Sequence, residues 1–385
     1  MRTHPSEGCF SVAWIVSRVG FETSCRENHA TVDLFKVLTP GKGGKGSLWL
    51  AIHLLYTGCP NMPRFDITLA GELQLDLILY GLPDELPPER ELLAERMMLT
   101  LGGSSTIVAH NLAALGSRVG YISRIGDDPL GQIALDRLAA AGADVSKVRR
   151  VTRTTTSATM TGLTVILQRE AWRNMVTYLG TTSELRFDDL DLAYLADSRH
   201  FHLSSFYLQR GLQPRVAELF QKLKAAGLTI SLDTNDDPAD TWQGGLTDAL
   251  RYVDVFLPNE HEARKIAGTD DLQAAVARLA AIVPVLVVKL GAEGAMAQRG
   301  HERFTSPLVP VKVVDAVGAG DSFNAGFLSQ YVLGADLPTC LAAGSLAGAL
   351  SATRPGGTEA FRDREHREQF FRAHALVTPA PRCSS

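Results

Sequence analysis

The fold of this chain is decided by a short stretch near its end, VVDAVGAGDSFNAGF, which runs from Val313 to Phe327. Three glycines and three alanines surround two aspartates, and an apolar pattern typical of a helix continues to about residue 333. A glycine-rich turn that enters a helix leaves backbone N–H groups unpaired and exposes the positive end of the helix dipole. Because small side chains let an anion come close, the stretch predicts a phosphate or oxyanion pocket.

Asp321 is unexpected in such a pocket, because a carboxylate competes with the anion that the amides attract. One interpretation is that Asp321 takes a proton from a hydroxyl group that attacks phosphorus, while the amides hold the transferring phosphoryl group. The other interpretation is that Asp321 only caps the helix. The local sequence leaves both interpretations open.

From Phe65 onward, short β-rich runs alternate with helical patterns. The candidate strands share apolar, β-branched residues, and they are 65–71, 119–126, 199–204, 228–233, 253–259 and 283–291, with a last β-like segment at 311–314. The candidate helices are 104–116, 129–141, 213–226, 271–282, 320–333 and 339–353. Strands without polar alternation are buried on both faces. The pattern therefore predicts an α/β three-layer sandwich with a mostly parallel sheet.

Two regions interrupt this alternation. Residues 73–101 and 150–180 hold β-like segments without a helix between them, including LQLDLILYGLP at 73–83 and NMVTYLG at 174–180. Extra strands of this kind predict a small second layer, such as a lid over the active cleft.

Composition limits the possible function. The chain has 385 residues, a net charge of −4 and no strongly basic block, which argues against a nucleic-acid partner. Its five cysteines show no paired spacing that would indicate disulfides or a zinc site, and a reducing cytoplasm fits this usage best. The apolar run 48–56 is far too short to span a bilayer, so no membrane role is expected.

The ends of the chain differ from its body. Residues 1–62 show weak periodicity, and an ordered strand pattern begins directly after Met62. We therefore expect a poorly ordered extension at 1–62, one globular domain at 63–375 and a short tail at 376–385.

The chain resembles the ribokinase-like (PfkB-type) sugar kinase family over about residues 65–360. DAVGAGD at 315–321 is similar to the C-terminal signature of that family, and LGGSSTIVAHNLAALG at 101–116 is similar to its N-terminal signature. RIGDDPLG at 124–131 and LPNEHEA at 257–263 follow in the expected order. The resemblance implies the ribokinase-like fold, with a small β lid, and an ATP- and Mg²⁺-dependent kinase that acts on a small polyhydroxy substrate.

The resemblance also implies roles for the residues at the transfer site. Asp321 corresponds to the catalytic base, and Gly318, Ala319 and Gly320 correspond to the anion hole. On the substrate side, Asp76 corresponds to the acid that binds sugar hydroxyls, and Gly102 and Gly103 would let the sugar approach the backbone. Asp76 has two oxygens that suit two vicinal hydroxyls, although a solvated aspartate on a strand is the alternative.

The nucleotide and metal residues are likewise implied by the resemblance. Asn259 corresponds to the first residue of the N-x-x-E motif, and Glu262, its last residue, would support Mg²⁺ through water. The remaining nucleotide residues are Lys289, Gly291, Gly294 and Ser345. Asp315, with carbonyl groups near Gly356, corresponds to a site for a monovalent cation such as K⁺.

Three positions depart from the family pattern. Ile107 stands where many members have a sugar-binding asparagine, and Asn111 lies one helical turn further on. Ser345 replaces an asparagine near the adenine, and Asp237 replaces an arginine in a D-x-N-x-R pattern, where it would repel an acidic substrate.

A neutral sugar is therefore the favoured acceptor, with a nucleoside as the alternative. A catalytically silent ligand-binding protein on the same fold is a third possibility, motivated by Ile107 and Ser345. A sugar phosphate is a weaker fourth, which would use arginines near the lid such as Arg173. The resemblance also implies a homodimer formed through the lid strands.

Overall fold

The computed structural model describes residues 63–152, 159–169 and 172–375. The predicted extension at 1–62 and the tail at 376–385 lie outside these residues, so the domain boundaries remain predictions. Within the described ranges, no helix combines the length and the apolar character that a crossing of the lipid bilayer requires.

The described residues form thirteen strands. In chain order they are β1 Phe65–Ala70, β2 Gln74–Tyr80, β3 Arg96–Gly102, β4 Val119–Gly126, β5 Asp144–Val151, β6 Leu163–Gln168, β7 Arg173–Tyr178, β8 Ser198–Leu203, β9 Thr229–Leu232, β10 Val255–Phe256, β11 Val285–Lys289, β12 Ala295–Arg299 and β13 Glu302–Ser306. Nine of them form the main sheet in the order β13-β12-β11-β10-β9-β8-β1-β4-β5, and β3-β2-β6-β7 form a second sheet.

The described residues also form eleven α-helices. They are α1 Ser104–Ala114, α2 Pro129–Ala140, α3 Leu192–Ala196, α4 Val216–Ala225, α5 Leu246–Leu250, α6 Glu260–Ala267, α7 Leu272–Ala280, α8 Ala319–Tyr331, α9 Leu337–Ala352, α10 Glu359–Arg362 and α11 Arg364–Ala375. In the main sheet, neighbouring strands pair in parallel in the order β5, β4, β1, β8, β9, β10 and β11. The strands β12 and β13 form an antiparallel hairpin at its edge.

Two hydrophobic cores lie on opposite faces of the main sheet. One core packs α3 to α7 against the sheet, and the other packs α1, α2, α8 and α9 against it. Successive strand residues alternate between the cores: Val285 belongs to the second core and Leu286 to the first. Because both faces are covered, the strands are continuously apolar. The predicted three-layer α/β sandwich is confirmed.

The second sheet is the predicted lid, and it packs on the glycine-rich stretch. Ile78 and Tyr80 of β2 and Ile166 of β6 form a small buried cluster with Val317. The lid face that carries these residues therefore points toward the turn before α8.

The sequence patterns located most elements but missed some. All six predicted helices are present. The sequence patterns did not predict the other five helices, α3, α5, α6, α10 and α11, nor strand β5 and the β12–β13 hairpin. The β-like segment at 311–314 was wrongly predicted, because it pairs with no strand; the amide of Val314 instead donates to the carbonyl oxygen of Ala352 in α9. An apolar run does not distinguish a strand from an extended segment that packs on a helix.

Candidate active site

A cleft of about 890 Å³ lies between the lid and the carboxyl ends of the parallel strands. Most of the residues predicted for the site line it: Asp76, Gly103, Asn259, Glu262, Lys289, Gly291, Gly294, Gly318, Ala319, Gly320, Asp321 and Ser345. Two predicted residues do not line it. Gly102 lies behind Asp76, and Asp315 is buried beside the cleft wall.

The glycine-rich turn places two free amides at the start of α8. Gly318 is the N-cap residue with φ of 72°, and a Cβ there would lie 2.6 Å from the Cα of Gly357, so both conformation and space require glycine. The amide of Ala319 donates to the carbonyl oxygen of Ala316 at 3.3 Å. Within the described part of the chain, the amides of Gly320 and Asp321 have no hydrogen-bond partner. The predicted anion hole would therefore consist of these two amides.

Asp321 points into the cleft without capping α8. Its side chain is 7% exposed, and the helix has no side-chain cap. Burial raises the pKa of Asp321 to about 6, and the carboxylate of Asp233 adds to the rise, while the Lys289 ammonium group and the Ser104 hydroxyl oppose it. A carboxylate with this pKa is ionised at neutral pH and still basic enough to accept a proton.

Lys289 is held beside the anion hole by a buried ion pair. Its Nζ lies 2.5 Å from Oδ2 of Asp233, which is fully buried, and 3.4 Å from Oδ1 of Asn324. A Cβ on Gly320 would lie 3.8 Å from the same Nζ. Burial alone would lower the pKa of Lys289, but the carboxylates of Asp233 and Glu262 raise it. A permanent positive charge therefore stands beside the free amides.

Asp76 lies on the lid side of the cleft, which we predict to be the acceptor side. Its carboxylate is 5% exposed and receives no hydrogen bond from any described residue. Burial raises its pKa to about 7, and the carboxylate of Asp321 contributes. A Cβ on Gly102 would lie 1.9 Å from Oδ1 of Asp76, so only glycine leaves room for this carboxylate. A buried, unpaired acceptor in a cleft is suited to a hydroxyl ligand.

Comparison with known proteins agrees with this geometry. The model of the pfkB family of carbohydrate kinases matches residues 65–364. The chain belongs to this family. It is accordingly a phosphotransferase of the carbohydrate kinase type, as the resemblance implied.

Individual relatives cover most of the chain. Fructokinase from Klebsiella pneumoniae is 31% identical over 282 residues, which are 69% of this chain and 90% of that protein. The 2-dehydro-3-deoxygluconokinase of Bacillus subtilis is 29% identical over 289 residues, 72% of this chain and 88% of that protein. An Escherichia coli protein assigned as ribokinase II, solved with ATP and Mg²⁺, superposes with a TM-score of 0.69 at 24% identity, covering 80% of this chain and all of that one.

In this pfkB family kinase, the N-x-x-E residues form a reciprocal helix cap. The side chain of Asn259 accepts a hydrogen bond from the amide of Glu262 at 2.9 Å, and the carboxylate of Glu262 accepts from the amide of Asn259 at 2.8 Å. Nδ2 of Asn259 donates to the other carboxylate oxygen at 2.6 Å. Both side chains are thus engaged with each other at the start of α6, and the contact of Glu262 to Mg²⁺ through water stays a prediction.

The remaining residues predicted to bind the nucleotide also line the cleft. Gly294 has φ of 89°, and a Cβ there would lie 2.1 Å from the carbonyl oxygen of Ser306. Ser345 donates to the hydroxyl of Ser306 at 2.9 Å. A Cβ on Gly291 would meet nothing within 4 Å, so this glycine faces open space.

The departures from the family pattern are explained by packing. Ile107 packs against Gly318 and Gly357, and Asn111 is fully buried, where Nδ2 donates to the carbonyl oxygen of Gly357 at 3.0 Å. Asp237 accepts hydrogen bonds from the amides of Ala239, Thr241 and Trp242. Asp237 therefore stabilises the loop at residues 237–242.

Three functional residues were missed in the sequence. Asp233 and Asn324 hold Lys289, and Glu72 lines the cleft, where it accepts hydrogen bonds from Ser105 and Ser205. Asp233 follows a buried strand directly, which is where a polar residue reaches the carboxyl edge of a parallel sheet. Its position directly after the strand could therefore have identified Asp233 from the sequence.

Proposed function

We propose that this protein transfers the γ-phosphoryl group of ATP to a hydroxyl of a small neutral sugar, with Asp321 as general base. One observation carries the proposal: the Asp321 carboxylate is buried in a cleft that has two free amides and an ammonium group nearby and the unpaired Asp76 carboxylate on the lid. Each element matches one requirement of phosphoryl transfer.

The proposed step is the transfer of the γ-phosphoryl group from ATP to the sugar hydroxyl. Asp321 accepts the proton of the sugar hydroxyl, the hydroxyl oxygen bonds to the γ-phosphorus, and the bond from that phosphorus to the β,γ-bridging oxygen breaks. ADP leaves with the electrons of that bond. The amides of Gly320 and Asp321 and the ammonium group of Lys289 stabilise the negative charge on the transferring group.

ATP would lie along the side of the cleft that holds Gly291, Gly294 and Ser345. The glycines leave space for the nucleotide, and the loop between them follows β11 directly. Mg²⁺, when bound with ATP, neutralises phosphate charge. Among the described residues no group of three or more acidic, histidine or cysteine side chains is arranged to hold a metal. Glu262 would therefore orient Mg²⁺ through water, together with the phosphates.

The charges of the cleft favour a neutral acceptor. Glu72 and Asp76 line its acceptor side and Asp321 lines its transfer side, and the three negative charges disfavour an acceptor that carries a carboxylate or a phosphate. Arg173 and Arg210 also line the cleft, but both side chains are exposed. The buried Lys289–Asp233 ion pair beside two free amides favours a catalytic protein over a silent binding protein, because it places a fixed positive charge where a transferring phosphoryl group would need it.

The lid supports a further proposal, a homodimer. Its outward face carries apolar side chains that remain exposed: Met97 at 65%, Val176 at 61% and Tyr178 at 53%. Burial of this face against a second copy would remove it from water. Light scattering on the purified protein would test the dimer, and Val176→Asp would be expected to convert it to a monomer.

A substrate screen tests the proposed function. ADP release would be measured with ATP and Mg²⁺ over a panel of neutral ketoses and aldoses, nucleosides, aldonic acids and sugar phosphates. We expect sugar-dependent turnover with a neutral member of the panel. Turnover only with nucleosides would select the alternative, and saturable sugar binding without turnover would select the silent protein.

A further inference from the structure

Tyr80 is a lid residue for which the transfer chemistry has no role. It ends β2 and is 9% exposed. Its hydroxyl donates to Oδ2 of Asp315 at 2.8 Å, although the two residues are 235 positions apart in the chain. The guanidinium group of Arg96 lies 4.2 Å from the centroid of its ring. The phenol is therefore fixed in one place by packing and by one hydrogen bond.

Asp315 is a buried carboxylate without an ionic partner. It is 6% exposed, and it forms no ion pair within the described ranges. The negative charge is instead met by three donors: the amide of Val317 at 2.9 Å, the amide of Gly356 at 3.1 Å and the hydroxyl of Tyr80. Because burial penalises an uncompensated charge, every one of these donors matters.

These bonds connect the lid with the anion hole. The bond to Val317 holds the turn before α8, and the bond to Gly356 holds the loop that packs on Gly318. Gly318 in turn caps the helix whose free amides form the anion hole. The hydroxyl of Tyr80 therefore acts on the amides through Asp315.

The same carboxylate is where the family resemblance placed a monovalent cation. Three of its roughly four lone-pair directions already accept hydrogen bonds: Oδ2 accepts from Tyr80 and Gly356, and Oδ1 accepts from Val317. The residues present therefore do not fit a monovalent cation at Asp315.

We propose that the Tyr80 hydroxyl replaces a monovalent cation as the partner of Asp315, and that Tyr80 is a positioning residue for the anion hole. The proposal rests on the proposed kinase function for its activity readout only. It follows that turnover of the natural protein is independent of K⁺, and that removal of the hydroxyl creates a requirement for it.

The test compares the natural protein with Tyr80→Phe, which keeps the ring and its packing. Tyr252→Phe is the matched control, because Tyr252 is half-buried on the opposite side of the sheet and its hydroxyl has no partner in the described chain. Turnover with the accepted sugar and thermal unfolding would be measured in KCl and in choline chloride of equal ionic strength.

We expect the natural protein and Tyr252→Phe to give the same kcat and Tm in both salts. Tyr80→Phe should lose roughly tenfold or more in kcat in choline chloride, since a hydrogen bond to a buried charge is lost. KCl should restore most of that loss and raise the Tm of this variant.

Three results would overturn the proposal. They are stimulation or stabilisation of the natural protein by K⁺, an unchanged kcat of Tyr80→Phe in choline chloride, and a loss that K⁺ does not restore. If no acceptor supports turnover, the proposed function fails while the Tm comparison still decides the role of Tyr80.

Discussion

The two sides of the cleft differ in how their side chains are held. On the transfer side, Asp321 and Asp233 are buried, and Lys289 is 13% exposed and tied to two neighbours. On the acceptor side, Glu72 and Asp76 are comparably buried, but every residue of β7 in the lid is exposed.

We infer from this difference that the transfer side carries out the chemical step and that the acceptor side selects the sugar. Stabilisation of charge in a transition state requires donors and charges that are already in place. Recognition of a particular sugar requires only that a few side chains fit its outline. We infer that substitutions on the transfer side reduce turnover with every acceptor, whereas substitutions in the lid change which acceptor is used.

The largest effect is expected for Asp321→Asn. Loss of the base should reduce kcat by roughly a hundredfold or more, within the range of about 10²–10⁴ for a positioned base. Release of ADP measured at saturating substrates would give kcat. Asp248→Asn, whose side chain is 70% exposed in α5, is the control and should behave as the natural protein. Near-normal turnover of Asp321→Asn would remove this residue from catalysis.

The Lys289–Asp233 pair should contribute both to the stability of the fold and, through the charge of Lys289, to catalysis. Two variants separate these contributions. Lys289→Met leaves the Asp233 carboxylate buried and unpaired, so unfolding should become easier by about 3–5 kcal/mol. The double variant Asp233→Asn with Lys289→Met removes both charges and should recover much of that stability. Its kcat should nevertheless stay at least roughly tenfold low, because an interaction with the transferring group is missing.

Denaturant unfolding and kinetics on both variants would measure these effects. Recovery of activity together with stability in the double variant would show that Lys289 is only structural.

Substitutions on the acceptor side should change the KM for the sugar. Gly102→Ala places a methyl group against Asp76, so the variant should raise the KM for the sugar about tenfold while the KM for ATP stays unchanged. Asp76→Ala should have the same phenotype. Combining the two should add little, since both act on one carboxylate. An additive double variant would mean that Gly102 acts independently of Asp76.

The pH dependence of activity should reflect one carboxylate from each side of the cleft. Asp321, with a pKa of about 6, and Asp76, with a pKa of about 7, must both be ionised to accept hydrogens from the sugar. Activity should therefore fall as the pH is lowered from 8 through this range, with kcat/KM reporting the free enzyme. The Asp76→Asn variant should keep only the lower transition. A flat profile between pH 5 and 8 would contradict both assignments.

The smallest effect is expected for Arg173→Ala. Its side chain is exposed, and a solvated cation contributes little to the binding of a neutral sugar, so KM should change by less than about threefold. Kinetics on the best acceptor would measure this. A much larger loss would show that the acceptor carries a negative charge, which would favour the sugar phosphate alternative.

Much of the fold could be read from the sequence because its signals are local. Apolar strands and periodic helices alternate, and the six predicted helices are all present. The short α6 was missed because its mean composition is polar and its cap, Asn259 with Glu262, was interpreted as a metal motif. The segment at 311–314 was misassigned because its apolar residues pack without pairing.

The candidate site was read only in part. Asp321 and the glycines around it follow from the need for free amides at a helix start. Asp233, Asn324 and Glu72 did not, because they act through residues distant in the chain: Asn324 bonds to Asp233, 91 positions away. Spacing within one segment carries no information about such pairs.

By itself the sequence determined the layered α/β architecture and the glycine-rich turn with an acid at the start of a helix, since each depends on backbone preferences and local patterns. Only the tertiary structure decided that the amide of Ala319 donates to Ala316, that Lys289 lies beside the free amide of Gly320, and that Tyr80 reaches Asp315. These contacts join separate elements, and their existence depends on where folding brings buried charges that must then find a partner.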